Sequence, residues 1–202
     1  MFIQAIQGRV RDEDALNACV QRWQTDLMPG AAGYLGTTAG FCDDGTYIAL
    51  VRFETAEAAA RNSERPEQAA WWQEMSGCFD GDVSFQDCTD VRQWLGGGSD
   101  DAGFVQIMAG HSADVERMYD LLSSASDRVH DARPEILGGT LAFTATGDYI
   151  EAIYFTSEEA ARAGEKQGMP EDMRAMFDEE MSLMGEVEFH DLHRPMLVSA
   201  RR

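Results

Sequence analysis

Basic residues are scarce: 16 lysines and arginines stand against 36 aspartates and glutamates in 202 residues, a formal net charge of −20. A chain this acidic repels phosphate backbones and anionic lipid head groups, which argues against nucleic acid and membrane surfaces as partners. The acids are scattered along expected helices and turns, so they read as a solvated surface rather than an acidic binding face. No apolar run approaches the ~18 residues that span a bilayer. The first residues, Met1-Phe2-Ile3-Gln4, enter strand-like sequence at once, without the basic and then apolar stretch of a secretory leader. Cysteine is sparse and unpatterned. Cys19, Cys42, Cys78 and Cys88 form no CxxC pair or zinc-like spacing and all lie in the first half, which predicts reduced, packing thiols in a cytoplasmic protein. Gly96-Gly97-Gly98 lacks the lysine and helix of a phosphate-cradling loop. No Ser-His-Asp or Cys-His spacing can be argued, because cysteines and histidines occupy different halves.

What the chain does have is a repeat. At an offset of 102, Phe2/Phe104, Gln4/Gln106, Gly8/Gly110, Asp12/Asp114, Gly36/Gly138, Tyr47/Tyr149 and Phe53/Phe155 are identical, among other pairs. A two-residue insertion moves the offset to 104, where Pro66/Pro170, Gly81/Gly185, Phe85/Phe189 and Asp87/Asp191 match. Identity on turn glycines and strand aromatics together marks a duplication. The expected division is a first repeat over 1–95, a flexible Gly-rich linker over 96–103, and a second repeat over 104–198.

Each copy reads β-α-β-β-α-β. Asp12 and Asp114 are natural N-caps. Leu16, Cys19, Val20, Trp23 and Leu27 draw a helical stripe that Met118, Leu121, Leu122, Ala125 and Val129 redraw at the same positions. Hairpins follow, turning at Gly45 and Gly147. Thr55 and Ser157 cap a second helix, which Pro66 and Pro170 restart. Gly81 and Gly185 lead into the last strands.

This pattern is a ferredoxin-like unit, and it resembles the dimeric α+β barrel superfamily, within it the antibiotic-biosynthesis-monooxygenase-like domains. The likeness rests on Ile3-Gln4-Ala5-Ile6, Gly33-Tyr34-Leu35-Gly36, Arg52-Phe53-Glu54-Thr55 with Glu57-Ala58, and the Pro66 helix. The resemblance implies an α+β protein whose two repeats pack sheet against sheet as an intramolecular pseudo-dimeric barrel. Each unit would keep a pocket between its sheet and helices. It also implies a small apolar or aromatic ligand, and activities that include cofactor-independent oxygenation of polyketide quinols. The haem-degrading branch uses a strand amide and a helical tryptophan and histidine. Gln4 and Gln106 stand at the amide position, but Trp71-Trp72 and Ala175-Met176 offer no axial imidazole, so no cofactor is expected.

Candidate ligand-binding residues are Gln4, Gln106, Trp72 and Arg52. The glutamines lie within apolar strands, where an amide can orient a carbonyl or phenol or be a satisfied structural group. Trp71 and Trp72 point about 100° apart on a helix, one toward the core and one toward a pocket or interface. Arg52 and Tyr154 share one repeat position; an arginine there could hold an anion and a tyrosine could donate a proton, or both could fill a strand surface. His111 is a candidate base at a pocket mouth. His190 and His193 lie an odd number apart and face opposite ways, with His111 placed at the far end from His190, so no metal site is expected. Met169, Met173, Met176, Met181 and Met184 form core or an adaptable pocket wall. Trp23 against Ala125 is the largest size difference on the matched stripe, which places an open cavity in the second repeat. Two functions are compatible with these residues: a cofactor-free oxygenase of an aromatic or polyketide-like substrate, and a non-catalytic ligand-binding or interaction module.

Overall fold

The computed structural model describes residues 1–168 and 171–200, the side chains of 125–127 and 172–173 excepted. Met169, Pro170 and the side chains of Met173 and Ala125 therefore lie outside the described residues. The first repeat runs β1 (Phe2–Arg9), α1 (Glu13–Arg22), a π-helical turn (Trp23–Leu27), β2 (Tyr34–Phe41), β3 (Thr46–Phe53), α2 (Ala56–Ser63), α3 (Pro66–Ser76) and β4 (Ser84–Cys88). After Thr89 a further strand follows, β5 (Asp90–Trp94). The second repeat runs β6 (Phe104–His111), α4 (Val115–Ala132), β7 (Ile136–Phe143), β8 (Asp148–Phe155), α5 (Glu158–Glu165), α6 (Glu171–Met184), β9 (Glu188–Leu192) and β10 (Met196–Ser199).

The local signals act where the sequence places them. Asp12 and Asp114 accept the N–H groups of Ala15 and Arg117 at 2.9 and 3.0 Å, and Thr55 and Ser157 accept those of Ala58 and Ala160 at 3.2 Å. Each such cap satisfies a helix-end donor for about 1 kcal/mol. Gly45 and Gly147 turn the hairpins at φ of +82° and +91°, a region that favours glycine. Leu16, Cys19, Trp23 and Leu27 are buried along the first stripe, as are Met118 and Leu121 on its twin.

The strands form two five-stranded antiparallel sheets, in the orders β10-β2-β3-β1-β4 and β5-β7-β8-β6-β9. The last strand of each repeat lies in the other repeat's sheet: β5 pairs with β7 and β10 with β2. Sequence repeats and sheets thus differ at these two strands. Between the sheets lies one apolar layer, with Ile3, Ile48 and Leu50 from one side meeting Val105, Ile107, Ile150 and Leu192 from the other. The opposite face of each sheet carries its own helices. The architecture is a pair of tandem ferredoxin-like repeats closed into an α+β barrel within one chain. Among the described residues, no helix is long and apolar enough to cross a membrane.

Polar ties cross the barrel. The hydroxyls of Thr38 and Tyr154 meet at 2.6 Å, and Arg52 Nη1 donates to Thr38 at 2.8 Å. His193 reaches Glu158 at 2.7 Å and Asp43 of the first repeat at 3.1 Å. The linker segment makes one tie to β10. Asp100 accepts both the N–H and the hydroxyl of Ser199, at 3.2 and 2.9 Å.

Candidate ligand site

Between the first sheet and its helices opens a cavity of about 390 Å³, within the size range of small-molecule sites. Alternation along the strands builds its floor: Gln4 and Ile6 on β1 and Tyr47, Ala49, Val51 and Phe53 on β3 face the helices, while their odd-even partners face the barrel. Tyr34 and Thr37 on β2 and Val198 on the exchanged β10 complete the floor. The roof is Val20, Trp23 and Gln24, then Ala59, Asn62 and Ser63, then Gln68, Ala69, Trp71, Trp72 and Met75.

Three tryptophans hold that roof in place. The widened turn after α1 seats Trp23, whose indole N–H donates to Gln68 Oε1 at 2.7 Å. π-Helical turns recur at functional sites, and the second repeat has a regular α-helix over Val115–Ala132 instead. Trp71 donates to the Cys19 carbonyl at 2.8 Å. Trp72 stacks edge-on against Phe85, centroids 5.1 Å apart, and with Phe85 49 % exposed this pair forms the rim of the opening. Tyr34 packs edge-on between Trp23 and Phe53, at 4.9 and 5.8 Å.

The wall contains no charged side chain among the described residues; its polar atoms are amides, hydroxyls and indole N–H groups. Tyr34 shares a hydrogen bond of 2.7 Å with Thr37. Tyr47, 2 % exposed, makes no hydrogen bond among the described residues, whereas its twin Tyr149 donates to the Met184 carbonyl at 3.3 Å. Burial raises the pKa of both Tyr34 and Tyr47, although the Thr37 contact partly offsets this at Tyr34. Both phenols therefore stay protonated at neutral pH and can donate. Asn62 is buried, its carbonyl held by Arg65 at 2.9 Å. Such a lining offers neutral donors and acceptors within an apolar, aromatic surround.

Of the four candidate ligand-binding residues, Gln4 and Trp72 lie in this wall, and Trp71, expected to point elsewhere than Trp72, lies in it too. Gln4 donates to Asp87 at 2.9 Å and Gln106 to Asp191 at 3.0 Å, so the repeated glutamines pair with repeated aspartates across neighbouring strands. Gln106 has no part in the cavity. Arg52 and Tyr154 stand together between the sheets, because even positions on β3 and β8 face the barrel. His111 sits exposed at the end of β6, 3.0 Å from Asp148 at the start of β8. His190 lies mid-strand opposite Ile107, a few positions along the ladder from His111 rather than at the far end. Among the described residues no group of His, Cys, Asp or Glu side chains comes together as a metal-ligand set. Burial raises the thiols of Cys42 and Cys88 to about 12, which leaves both unreactive at neutral pH.

A cavity of about 390 Å³ opens in the first repeat, contrary to the expectation drawn from Trp23 and Ala125, and a separate space of about 340 Å³ lies between β5 and α4 beside Trp94. Trp23 lines the first-repeat cavity rather than filling it. In the second repeat Trp94 occupies the matching space, and Met181 and Met184 pack into core with Leu141 and Tyr149. Sequence reasoning missed Tyr34, Tyr47, Asn62 and Val198 as lining residues and took Trp23 for filler. The alternation on β3 could have placed Tyr47, but nothing local tells that Val198 crosses to the other sheet.

No protein-family model matches the sequence, and no curated protein matches it. Solved structures share the fold. A provisionally named monooxygenase from Fusobacterium nucleatum superimposes with a TM-score of 0.78 at 8% identity, over 98% of this chain and 94% of that one. One from Lactobacillus acidophilus gives 0.71 at 9%, over 98% and 99%. A protein described as anthrone oxidase-like gives 0.69 at 10%, over 100% and 94%. At such identities the likeness is one of fold, and it spans both repeats.

Proposed function

We propose that the first repeat binds an uncharged polycyclic aromatic molecule and oxygenates it without a cofactor. The observation that carries this reading is the wall itself: a largely apolar, aromatic-lined cavity with no charged side chain among the described residues. The resemblance to proteins described as monooxygenases and as anthrone oxidase-like is consistent with it. Anthrones and quinols lose a proton readily, here to water at the open rim, and their anions react with dioxygen directly. One O2 is the oxidant, one of its oxygens ending in the new carbonyl and the other in water, so the protein has to orient and stabilise the anion rather than supply strong base. Tyr47 would donate to the developing oxyanion, and Gln4 would orient a second oxygen. Asp87 accepts the Gln4 amide N–H at 2.9 Å, which brings a carboxylate up behind the wall.

Oxygen uptake with 1,8-dihydroxyanthrone tests the proposal. Saturable uptake that falls in Tyr47→Phe is the expected result. The absence of a charged base from the wall favours one other reading, a ligand carrier; saturable binding with no uptake above the buffer rate would establish that reading and defeat the oxygenase.

A further inference from the structure

The two repeats carry different side chains at three matched positions facing their helices. In the first, β10 sets Val198 opposite Thr37, and both line the cavity with Ala49. In the second, β5 sets Trp94 opposite Gly139, and Glu151 stands where Ala49 would be. These three work together. A Cβ on Gly139 would come within 2.3 Å of the indole, so a side chain there would expel the ring. Glu151, 2 % exposed, accepts the Trp94 N–H at 3.1 Å. The ring packs with Phe104, Ile136 and Phe155, of which the last two match Tyr34 and Phe53 in the open cavity.

We propose that the chain has one working ligand site, and that its second repeat holds a latent pocket for the same class of uncharged aromatic molecule, plugged by Trp94 seated on Gly139 and Glu151. The proposal rests on reading the first cavity as a ligand site. The strand exchange makes such asymmetry accessible: each pocket takes one wall residue from the other repeat's last strand. A change at position 94 therefore closes one pocket and leaves Val198 in the other untouched. Burial and the nearby Glu180 keep the Glu151 carboxyl protonated at neutral pH, so the plug carries no buried charge.

Calorimetric titration of the whole chain with 1,8-dihydroxyanthraquinone tests it. The wild type should bind one molecule. W94V/E151A should bind two, and T37G/V198W, which builds the plug in the first repeat, should bind none while keeping its circular dichroism. Two molecules on the wild type, one on folded W94V/E151A, or retained binding by folded T37G/V198W would each overturn the plug. Should the wild type bind none, the ligand reading fails by itself. A crystal structure of W94V/E151A then decides the plug: a space bounded by Phe104, Ile136 and Phe155 where the indole stood, distinct from the cavity of about 340 Å³ that already lies between β5 and α4, supports it, and a collapsed, repacked core defeats it.

Discussion

The indole of Trp23 donates to the side-chain carbonyl of Gln68 at 2.7 Å, tying the end of α1 to α3 across the roof of the cavity. Trp23→Phe keeps a ring but leaves Gln68 without its donor, and a lost neutral hydrogen bond costs about 1 kcal/mol. Trp23→Ala removes the ring as well. Because that ring already borders open space, its loss should cost about 3 kcal/mol, the low end for a buried aromatic. Urea unfolding midpoints would give both values, and equal effects of the two substitutions would show that the hydrogen bond, not the ring, holds the roof.

Tyr47 separates stability from function. Its hydroxyl makes no hydrogen bond among the described residues, and it is buried with Phe41 and Phe79 rings 5.4 and 6.1 Å away. The hydroxyl bonds no protein group and borders the cavity, so Tyr47→Phe should leave the melting temperature close to unchanged. Oxygen uptake with the anthrone should still fall, by roughly tenfold for one donor worth about 1.4 kcal/mol. A variant with unaltered uptake would remove Tyr47 from the chemistry. In Tyr149→Phe the hydroxyl lost is one that holds the Met184 carbonyl, so there stability should drop while uptake holds.

How much of this was readable in sequence follows from the range of the interactions. Caps at Asp12, Thr55, Asp114 and Ser157, and turns at Gly45 and Gly147, are set within three or four residues, and they stand where the residue types put them. The pairing of Gln4 with Asp87 could have been found from the repeat alone, since both members recur as Gln106 and Asp191. The β5 and β10 exchange could not, because short strands after Thr89 and Pro195 carry no local mark of which sheet they join. For the same reason Trp94 and Val198, which decide where space remains, read as ordinary terminal residues. Trp23 misled for a physical cause: volume at one helical position does not fix a cavity when the opposing strand also differs.

The exchanged β10 should be necessary for the site. Ending the chain after Pro195 removes Val198 from the wall, frees the edge of β2 and strips Asp100 of Ser199. Burying a valine side chain against a ligand is worth about 1.5 kcal/mol, so 1,8-dihydroxyanthraquinone affinity should weaken at least about tenfold. The bare edge of β2 should also make the shortened chain associate, seen as concentration-dependent mass in sedimentation. Unaltered affinity in the shortened chain would show that the first repeat closes its pocket alone.

Glu151 gives the protein a predictable response to alkali. Burial, aided by Glu180 and opposed by the Trp94 hydrogen bond, raises its carboxyl from the usual range to about 8. The folded state therefore holds a proton that the unfolded chain releases near pH 4.5. Stability from this group is complete below that pH, declines as pH rises, and is gone above about 8. Glu180, also raised by burial, acts in the same direction. His193, raised chiefly by Glu158, likewise loses its contribution as pH rises, but both carboxylates that face it remain in a Glu151 variant. Glu151→Gln keeps an acceptor for Trp94 and has no proton to lose. Wild type should melt lower at pH 9 than at pH 6 by more than Glu151→Gln does, and the excess measures the buried carboxyl. Parallel melting curves for the two proteins across that interval would mean that Glu151 ionises as if in water, and that Trp94 shields it far less than its burial implies.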